Sequence, residues 1–181
     1  MPFVRRPLCL AMLLALAVPA MAADSTDLGT FKDWTAFAAN GPEGRVCYVQ
    51  ASPSASPPYV QASSAKSKKV ARDKVLLLIS VWPGRGIRDE VEFLPGYLGN
   101  EKESVWLQVG AQRTEFFIRN DAKSGSAWIK NIADEPALVA AMRGGASITI
   151  SAVSKKGTRT SDTFSLAGLG TALERIHREC K

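Results

Sequence analysis

Short stretches in which apolar and polar residues alternate, separated by glycine and proline, make up most of the chain. Alternation with a period of two is typical of a strand that buries one face. Residues 75–82 differ, because their continuous apolar run predicts a central strand buried on both faces. Gly110-Ala111 separates two alternating stretches by two residues, which predicts a hairpin. The predicted strands are 31–37, 45–50, 75–82, 90–94, 104–109, 112–119, 126–129, 147–153 and 158–164.

Two segments carry helical signals instead. The first opens at Asp134-Glu135-Pro136, because an acidic residue before proline suits a first turn, and it ends at Gly144-Gly145. Near the C-terminus Thr171 and Glu174 match a capping box, with Leu166 as an earlier possible start. One stripe about 60° wide on this helix contains Leu169, Leu173, Ile176 and Cys180. These elements predict a mainly β fold: an antiparallel β-sandwich or partly open barrel of about eight to nine strands, with a short internal helix and a C-terminal helix.

The N-terminus has the three parts of a secretion signal: Arg5-Arg6, an apolar run over 8–18, and the small-residue ending Ala20-Met21-Ala22. The apolar run has about eleven residues, whereas a membrane-spanning helix needs roughly twenty. We therefore interpret 1–22 as a cleaved signal peptide and 23–181 as a single domain without a transmembrane segment; the alternative is an N-terminal anchor. Cleavage lowers the formal charge from +6 to about +4, which is too mild to indicate a nucleic-acid partner.

Three cysteines are present, and Cys9 lies inside the predicted signal. Cys47 and Cys180 remain after cleavage, an even number in an oxidising compartment, so we predict one disulfide between them. It would close a loop of about 130 residues and contribute at most about 4–5 kcal/mol in the chain-entropy description. The alternative is a pair of free, buried thiols.

Residues 51–72 differ in composition from the rest of the chain, being rich in proline, serine and lysine. A segment of this kind cannot bury enough apolar surface to order itself, which predicts a long flexible loop. Its cations are candidates for weak contact with an anionic membrane surface or a polyanion, and the alternative is a merely solubilising loop. The candidate residues are Lys66, Lys68, Lys69 and Arg72.

No residue pattern indicates catalysis, a cofactor or a metal. His177 is the one histidine of the mature chain. It falls at the border of the apolar helical stripe, where an ordinary surface histidine is expected. Ser63 and Lys66 match the Ser-x-x-Lys spacing of acyl-transfer enzymes but lie in the serine-rich and lysine-rich loop. Glu90 and Glu92 share a strand face, which a solvated polar surface explains before glycosidase chemistry does. Core or rim packing likewise explains the four tryptophans Trp34, Trp82, Trp106 and Trp128.

Three features are spread along the mature chain. They are Phe31-Lys32-Asp33-Trp34, Cys47 on the next strand, and an ending over 162–169 that reads Asp-Thr-Phe-Ser-Leu-Ala-Gly-Leu before a helix. In these the chain resembles the invasion-associated locus B family over about 28–180. Members are exported proteins of Gram-negative bacteria, and some are linked to host-cell entry. Many have a further cysteine where this chain has Phe37-Ala38, which implies a divergent branch, and the family offers no catalytic residues to carry over.

The export signal, the predicted disulfide and the resemblance together favour a non-enzymatic periplasmic or secreted protein. We expect it to act by binding or envelope maintenance, with an envelope or host component as its partner. A secreted ligand-binding or inhibitor domain that uses 51–72 to hold an anionic envelope component is the alternative. An envelope hydrolase is the third hypothesis.

Overall fold

A computed structural model describes residues 25–42, 44–55 and 72–181, and the backbone alone at 59–61 and 67–68. The predicted signal peptide lies outside these residues. Within them the structure has two helices, α1 (Glu135–Gly144) and α2 (Leu169–Glu179), and short 3-10 turns at Pro83–Arg85 and Ile132–Asp134. Its strands are β1 (Ser25–Phe31), β2 (Trp34–Gly41), β3 (Gly44–Ala51), β4 (Tyr59–Gln61), β5 (Ser67–Lys68), β6 (Leu76–Trp82), β7 (Ile87–Leu94), β8 (Val105–Val109), β9 (Gln112–Asn120), β10 (Gly125–Ile129), β11 (Ser147–Val153) and β12 (Thr158–Ser165).

All twelve described strands belong to one antiparallel sheet that does not close. Its order is β1-β2-β3-β6-β7-β10-β9-β8-β11-β12-β4-β5, so β1 and β5 are the edges. The sheet folds over on itself, because the rings of Phe93 on β7 and Phe164 on β12 meet edge-to-face with centroids 6.2 Å apart. These strands are five places apart in the sheet. The predicted mainly antiparallel, partly open β fold is therefore confirmed, with more strands than the eight or nine expected.

The first predicted strand, 31–37, is wrong. The chain instead turns at Lys32-Asp33, and β1 pairs with β2 so that Phe31 lies opposite Trp34. Lys32 takes a left-handed conformation with φ of 54°, which a turn this tight requires. Apolar-polar alternation continues across the turn, and neither glycine nor proline marks it, so the pattern resembles one uninterrupted strand.

Strand β6 buries one face fully and covers the other in part. Leu77, Ile79 and Val81 are buried in the core, whereas Leu76 and Leu78 are half-buried on the outer face. The prediction that this strand is buried on both faces was therefore only half right. Both helices pack on the core side of the sheet, where α2 contacts β1, β2 and β3.

Helix α2 begins at Leu169, and not with the predicted capping box. Gly168 precedes it at φ of 90°, and a Cβ placed there would lie 1.9 Å from the carbonyl oxygen of Phe31. Glycine is required at this position because both the dihedral angle and the close approach exclude a side chain. The chain therefore enters α2 by passing directly over the β1–β2 turn.

Two stretches on which the family resemblance rests meet at this point. The indole nitrogen of Trp34 donates a hydrogen bond to the carbonyl oxygen of Ser165 at 3.0 Å, and Trp34 is fully buried. The backbone nitrogen of Asp33 donates to the carbonyl oxygen of Ala167 at 3.4 Å. A buried indole needs a hydrogen-bond partner, and the end of β12 supplies one. The two motifs therefore join the first hairpin to the last strand.

Candidate functional site

Helix α2 is fastened to the sheet at its C-terminal end by a disulfide between Cys47 on β3 and Cys180. The two Cα atoms are 5.9 Å apart, and 133 residues separate the cysteines in the sequence. Both cysteines are buried, and an ion pair between Arg45 and Glu179 lies beside them. The disulfide therefore links strand β3 to the end of helix α2.

The described residues of the basic segment 51–72 pair with the sheet. Ser54 and Ala55 hydrogen-bond to Thr163, and β4 pairs with β12 while β5 pairs with β4. These described residues do not form the loop that composition predicted. Lys66, Lys69 and the side chain of Lys68 lie outside the described residues.

Arg72 does not belong to an exposed cationic cluster. Its side chain is only 8% exposed and forms a two-point ion pair with Asp162, which is fully buried on β12. It also donates to the carbonyl oxygen of Pro95 at 3.2 Å. A guanidinium whose donors are used in this way is structural, so the expectation that Arg72 contacts an external anion is wrong.

His177 lies in a groove of about 630 Å³ between α1, α2 and the start of β7. Its Nε2 is 2.5 Å from Oδ1 of Asp89, and its Nδ1 is 3.2 Å from a guanidinium nitrogen of Arg88. Because a carboxylate only accepts and a guanidinium only donates, Nε2 carries the hydrogen and Nδ1 accepts. Both ring nitrogens are therefore engaged, and the histidine ties α2 to β7.

Two acidic residues in this groove have unusual environments, Asp89 in its backbone conformation and Glu135 in its burial. Asp89 has a left-handed φ of 61°, a conformation that aspartate tolerates better than most residues. Glu135 at the start of α1 is buried and accepts a hydrogen bond from the backbone nitrogen of Val91 at 2.9 Å. Burial raises the pKa of Glu135, and the charges of Glu90 and Asp89 raise it further, against the lowering effect of the Val91 hydrogen bond. Among the described residues, no histidine, cysteine or carboxylate group has a metal-binding arrangement.

The four tryptophans divide into two groups. Trp34 is fully buried, whereas Trp82, Trp106 and Trp128 lie half-buried on the outer face of the sheet. Trp128 packs beside the exposed ring of Phe117 at a centroid distance of 6.0 Å. Glu92, opposite Trp128, has a raised pKa because it is partly desolvated, although a hydrogen bond from Ser126 opposes the shift. The strand face that carries Glu92 was predicted to be a solvated polar surface, and in the structure it also carries aromatic side chains.

A second groove, of about 550 Å³, lies on this outer face over β8, β11 and β12. The guanidinium carbon of Arg113 is 3.8 Å from the centre of the Trp106 ring, a stacking distance. Arg159 lies on the opposite wall, and Ser151 and Ser161 form the floor. Within the described residues no carboxylate pairs with either arginine, and both side chains are exposed. The groove therefore offers two cations for binding.

Sequence reasoning did not find Arg113 or Arg159. Both occupy outward positions on amphipathic strands, where a charged residue is expected for solubility alone. Only the sheet order brings β9 and β12 to two sides of one groove.

Comparison with known proteins identifies the family. The chain matches the invasion associated locus B (IalB) protein family over residues 34–177. The chain belongs to this family. An IalB relative of known structure, invasion associated protein B from Bartonella henselae, is 18% identical and has a TM-score of 0.51 over 83% of this chain and 96% of that one. That likeness shows a shared fold, and curated protein sequences gave no match.

The IalB match begins at Trp34 and ends at His177, so it includes the last residue of the first motif, the whole of the motif over 162–169 and both grooves. Within the described residues, no helix combines the length and apolar character needed to cross a membrane.

Proposed function

We propose that this IalB protein is exported and works in the cell envelope by binding, without catalysis. The Cys47–Cys180 disulfide is the observation that carries the proposal. Disulfides persist in oxidising compartments such as the periplasm, and this one joins a strand near the start of the domain to its last helix. The signal-like segment 1–22 supports the same location.

The contacts of His177 favour binding over hydrolysis as the function. A general base needs a ring nitrogen available to a nucleophile or water. The nitrogens of His177 are occupied by Asp89 and Arg88. An envelope or host component is the proposed partner, the host alternative following the invasion association in the family name.

Cell fractionation combined with thiol labelling tests the export part of this proposal. We expect the protein in the periplasmic or secreted fraction, shortened by about 22 residues, with Cys47 and Cys180 unreactive until a reductant is added. Full-length protein in the cytosol with two reactive thiols would refute it. Crosslinking in the intact envelope, followed by recovery of the protein, then identifies the partner.

The catalytic alternative has its own test. Turnover of an envelope glycan or ester by the purified protein, lost in His177→Gln and in Asp89→Asn, would overturn the non-enzymatic proposal. We expect no turnover in the wild type and a stability loss in both variants, because each removes the tie between α2 and β7.

A further inference from the structure

The outer-face groove between Arg113 and Arg159 has the composition of a ligand site. We infer that it binds an extended anionic saccharide, whose charged groups are phosphate, sulfate or carboxylate. This inference rests on the proposed function, since it names the class of ligand that the exported protein would hold. It is independent of the basic segment 51–72, whose lysine side chains lie outside the described residues.

Arg113 is held ready for an anion by the ring beneath it. The guanidinium carbon of Arg113 lies 3.8 Å from the centre of the Trp106 ring, so the ring supports this group from one side. No carboxylate among the described residues pairs with Arg113, whose side chain is exposed. A planar guanidinium with free donors binds carboxylate or phosphate oxygens through two parallel hydrogen bonds. Trp106 is therefore a positioning residue, and Arg113 is the contact.

The opposite wall adds a second cation and a positively charged rim. Arg159 lies opposite Val153 at the end of the β11–β12 hairpin, whose turn carries the exposed Lys155 and Lys156. Glu103 is the one acidic residue among the described lining residues, so cations are in excess. A field of one sign in a cleft concentrates ligands of the opposite sign.

The separation of the two arginines requires an extended ligand. Strands β9 and β12 are three places apart in the sheet, and neighbouring strands are about 4.8 Å apart, which gives roughly 14 Å between the strands. Arg113 is level with Thr163 through the strand pairings, and Arg159 lies four residues away along β12, which adds roughly 13 Å along the strands. A ligand that contacts both walls must also cover the strands between. The groove volume of about 550 Å³ is within the range of small-molecule sites.

The floor of the groove selects a hydroxylated ligand over an apolar one. Trp106, Ser151 and Ser161 lie side by side across β8, β11 and β12, so two hydroxyl groups follow the ring. The serine hydroxyls can donate and accept hydrogen bonds with sugar hydroxyls. An acyl chain would remove water from them and form no hydrogen bond in its place. A saccharide with anionic substituents satisfies the floor and the two walls together.

Titration calorimetry on the exported, disulfide-bonded protein tests the inference with three defined probes. These are a bis-phosphorylated N-acetylglucosamine disaccharide, a sulfated heparin hexasaccharide and the dephosphorylated, neutral N-acetylglucosamine disaccharide. We expect at least one charged probe to bind, and the neutral disaccharide to bind at least about a hundredfold more weakly, since charge-assisted hydrogen bonds are the stronger ones. Preference for the phosphorylated probe indicates an envelope ligand, and preference for the sulfated probe indicates an extracellular one.

Single substitutions then locate the site. Arg113→Ala and Arg159→Ala should each weaken binding about tenfold to a hundredfold. Trp106→Leu should weaken it as well, although it changes no charge, because Arg113 loses its support. Arg119→Ala is the matched control, since Arg119 is on the same strand, is exposed and lies over the Phe117 ring, yet does not line the groove. Its binding should equal that of the wild type.

Four results would overturn the inference: no binding of either charged probe, equal binding of the neutral disaccharide, equal losses in Arg119→Ala and Arg113→Ala, or tighter binding of a single-stranded oligonucleotide of matched charge. If the probes fail while the protein is still recovered oxidised from the periplasm, the saccharide inference falls and the proposed export stands. The two proposals therefore fail separately.

Discussion

The ion pair between Arg72 and Asp162 gives the sharpest prediction about stability. Asp162 is fully buried and Arg72 is 8% exposed, so both charges have left water. The guanidinium meets both carboxylate oxygens and also the carbonyl oxygen of Pro95. Its position at the end of segment 51–72 fastens that end to β12.

Removing one partner should cost far more than removing both. Asp162→Asn keeps the shape of the side chain but takes away the charge that the buried guanidinium requires, which costs about 3–5 kcal/mol in comparable sites. That is a large share of the roughly 5–15 kcal/mol by which domains are stable. In the double variant Arg72→Met/Asp162→Leu the site becomes apolar at similar volume, and most of the loss should be recovered.

Urea unfolding of the oxidised protein, followed by tryptophan fluorescence, measures each variant against the wild type. The single variants Arg72→Met and Asp162→Leu complete the double-mutant cycle. Glu115→Gln is the control, because it removes an exposed ion pair with Lys130 and should change the free energy of unfolding little. The reasoning is refuted if Asp162→Asn costs less than about 1 kcal/mol, or if the double variant loses the sum of the single losses.

Three further outcomes are expected. Replacing Cys47 and Cys180 by alanine should lower the free energy of unfolding by up to about 5 kcal/mol, measured by urea titration; a loss that equals zero would contradict the chain-entropy account. Burial raises the pKa of Glu135, so the stability that its protonated form provides at low pH is lost as pH rises through that pKa. Glu135→Gln should therefore stabilise the protein more at pH 7 than at pH 4, and a pH-independent difference would argue against this. Gly168→Ala should cost at least about 2 kcal/mol through the left-handed backbone and the clash with the preceding hairpin, whereas Gly170→Ala, which meets open space, should be neutral or stabilising.

Alternation predicted the strands of this fold because each strand needs only a local pattern. The hairpin of β8 and β9 and that of β11 and β12 follow their patterns closely, since glycine lies in each turn. The turn at Lys32-Asp33 could not be predicted in this way. The turn packs against Gly168, whose backbone approaches the carbonyl oxygen of Phe31. These two residues are 137 positions apart in the chain and meet only in the folded state.

Charged residues show the same limit more strongly. Composition separates the lysines of 51–72 from the rest of the chain, but it cannot distinguish Arg72, which enters the core, from its neighbours. Nor can it distinguish Arg113 from Arg119, two outward residues on one strand of which only the first lines a groove. The difference depends on which strand pairs beside β9, and β8 brings Trp106 there.

The residues on which the family resemblance rests and the residues that would choose a ligand occupy different parts of this structure. The indole of Trp34 bonds to the backbone of Ser165, and the backbone of Gly168 lies against Phe31, so a change at these positions acts on the fold. Arg113 and Arg159 project from the outer face, where a substitution alters charge without altering a core contact. At 18% identity, what this chain shares with invasion associated protein B from Bartonella henselae is the fold. The saccharide inference assigns ligand specificity to the groove, so the arginine variants should change binding while leaving the urea midpoint where it was.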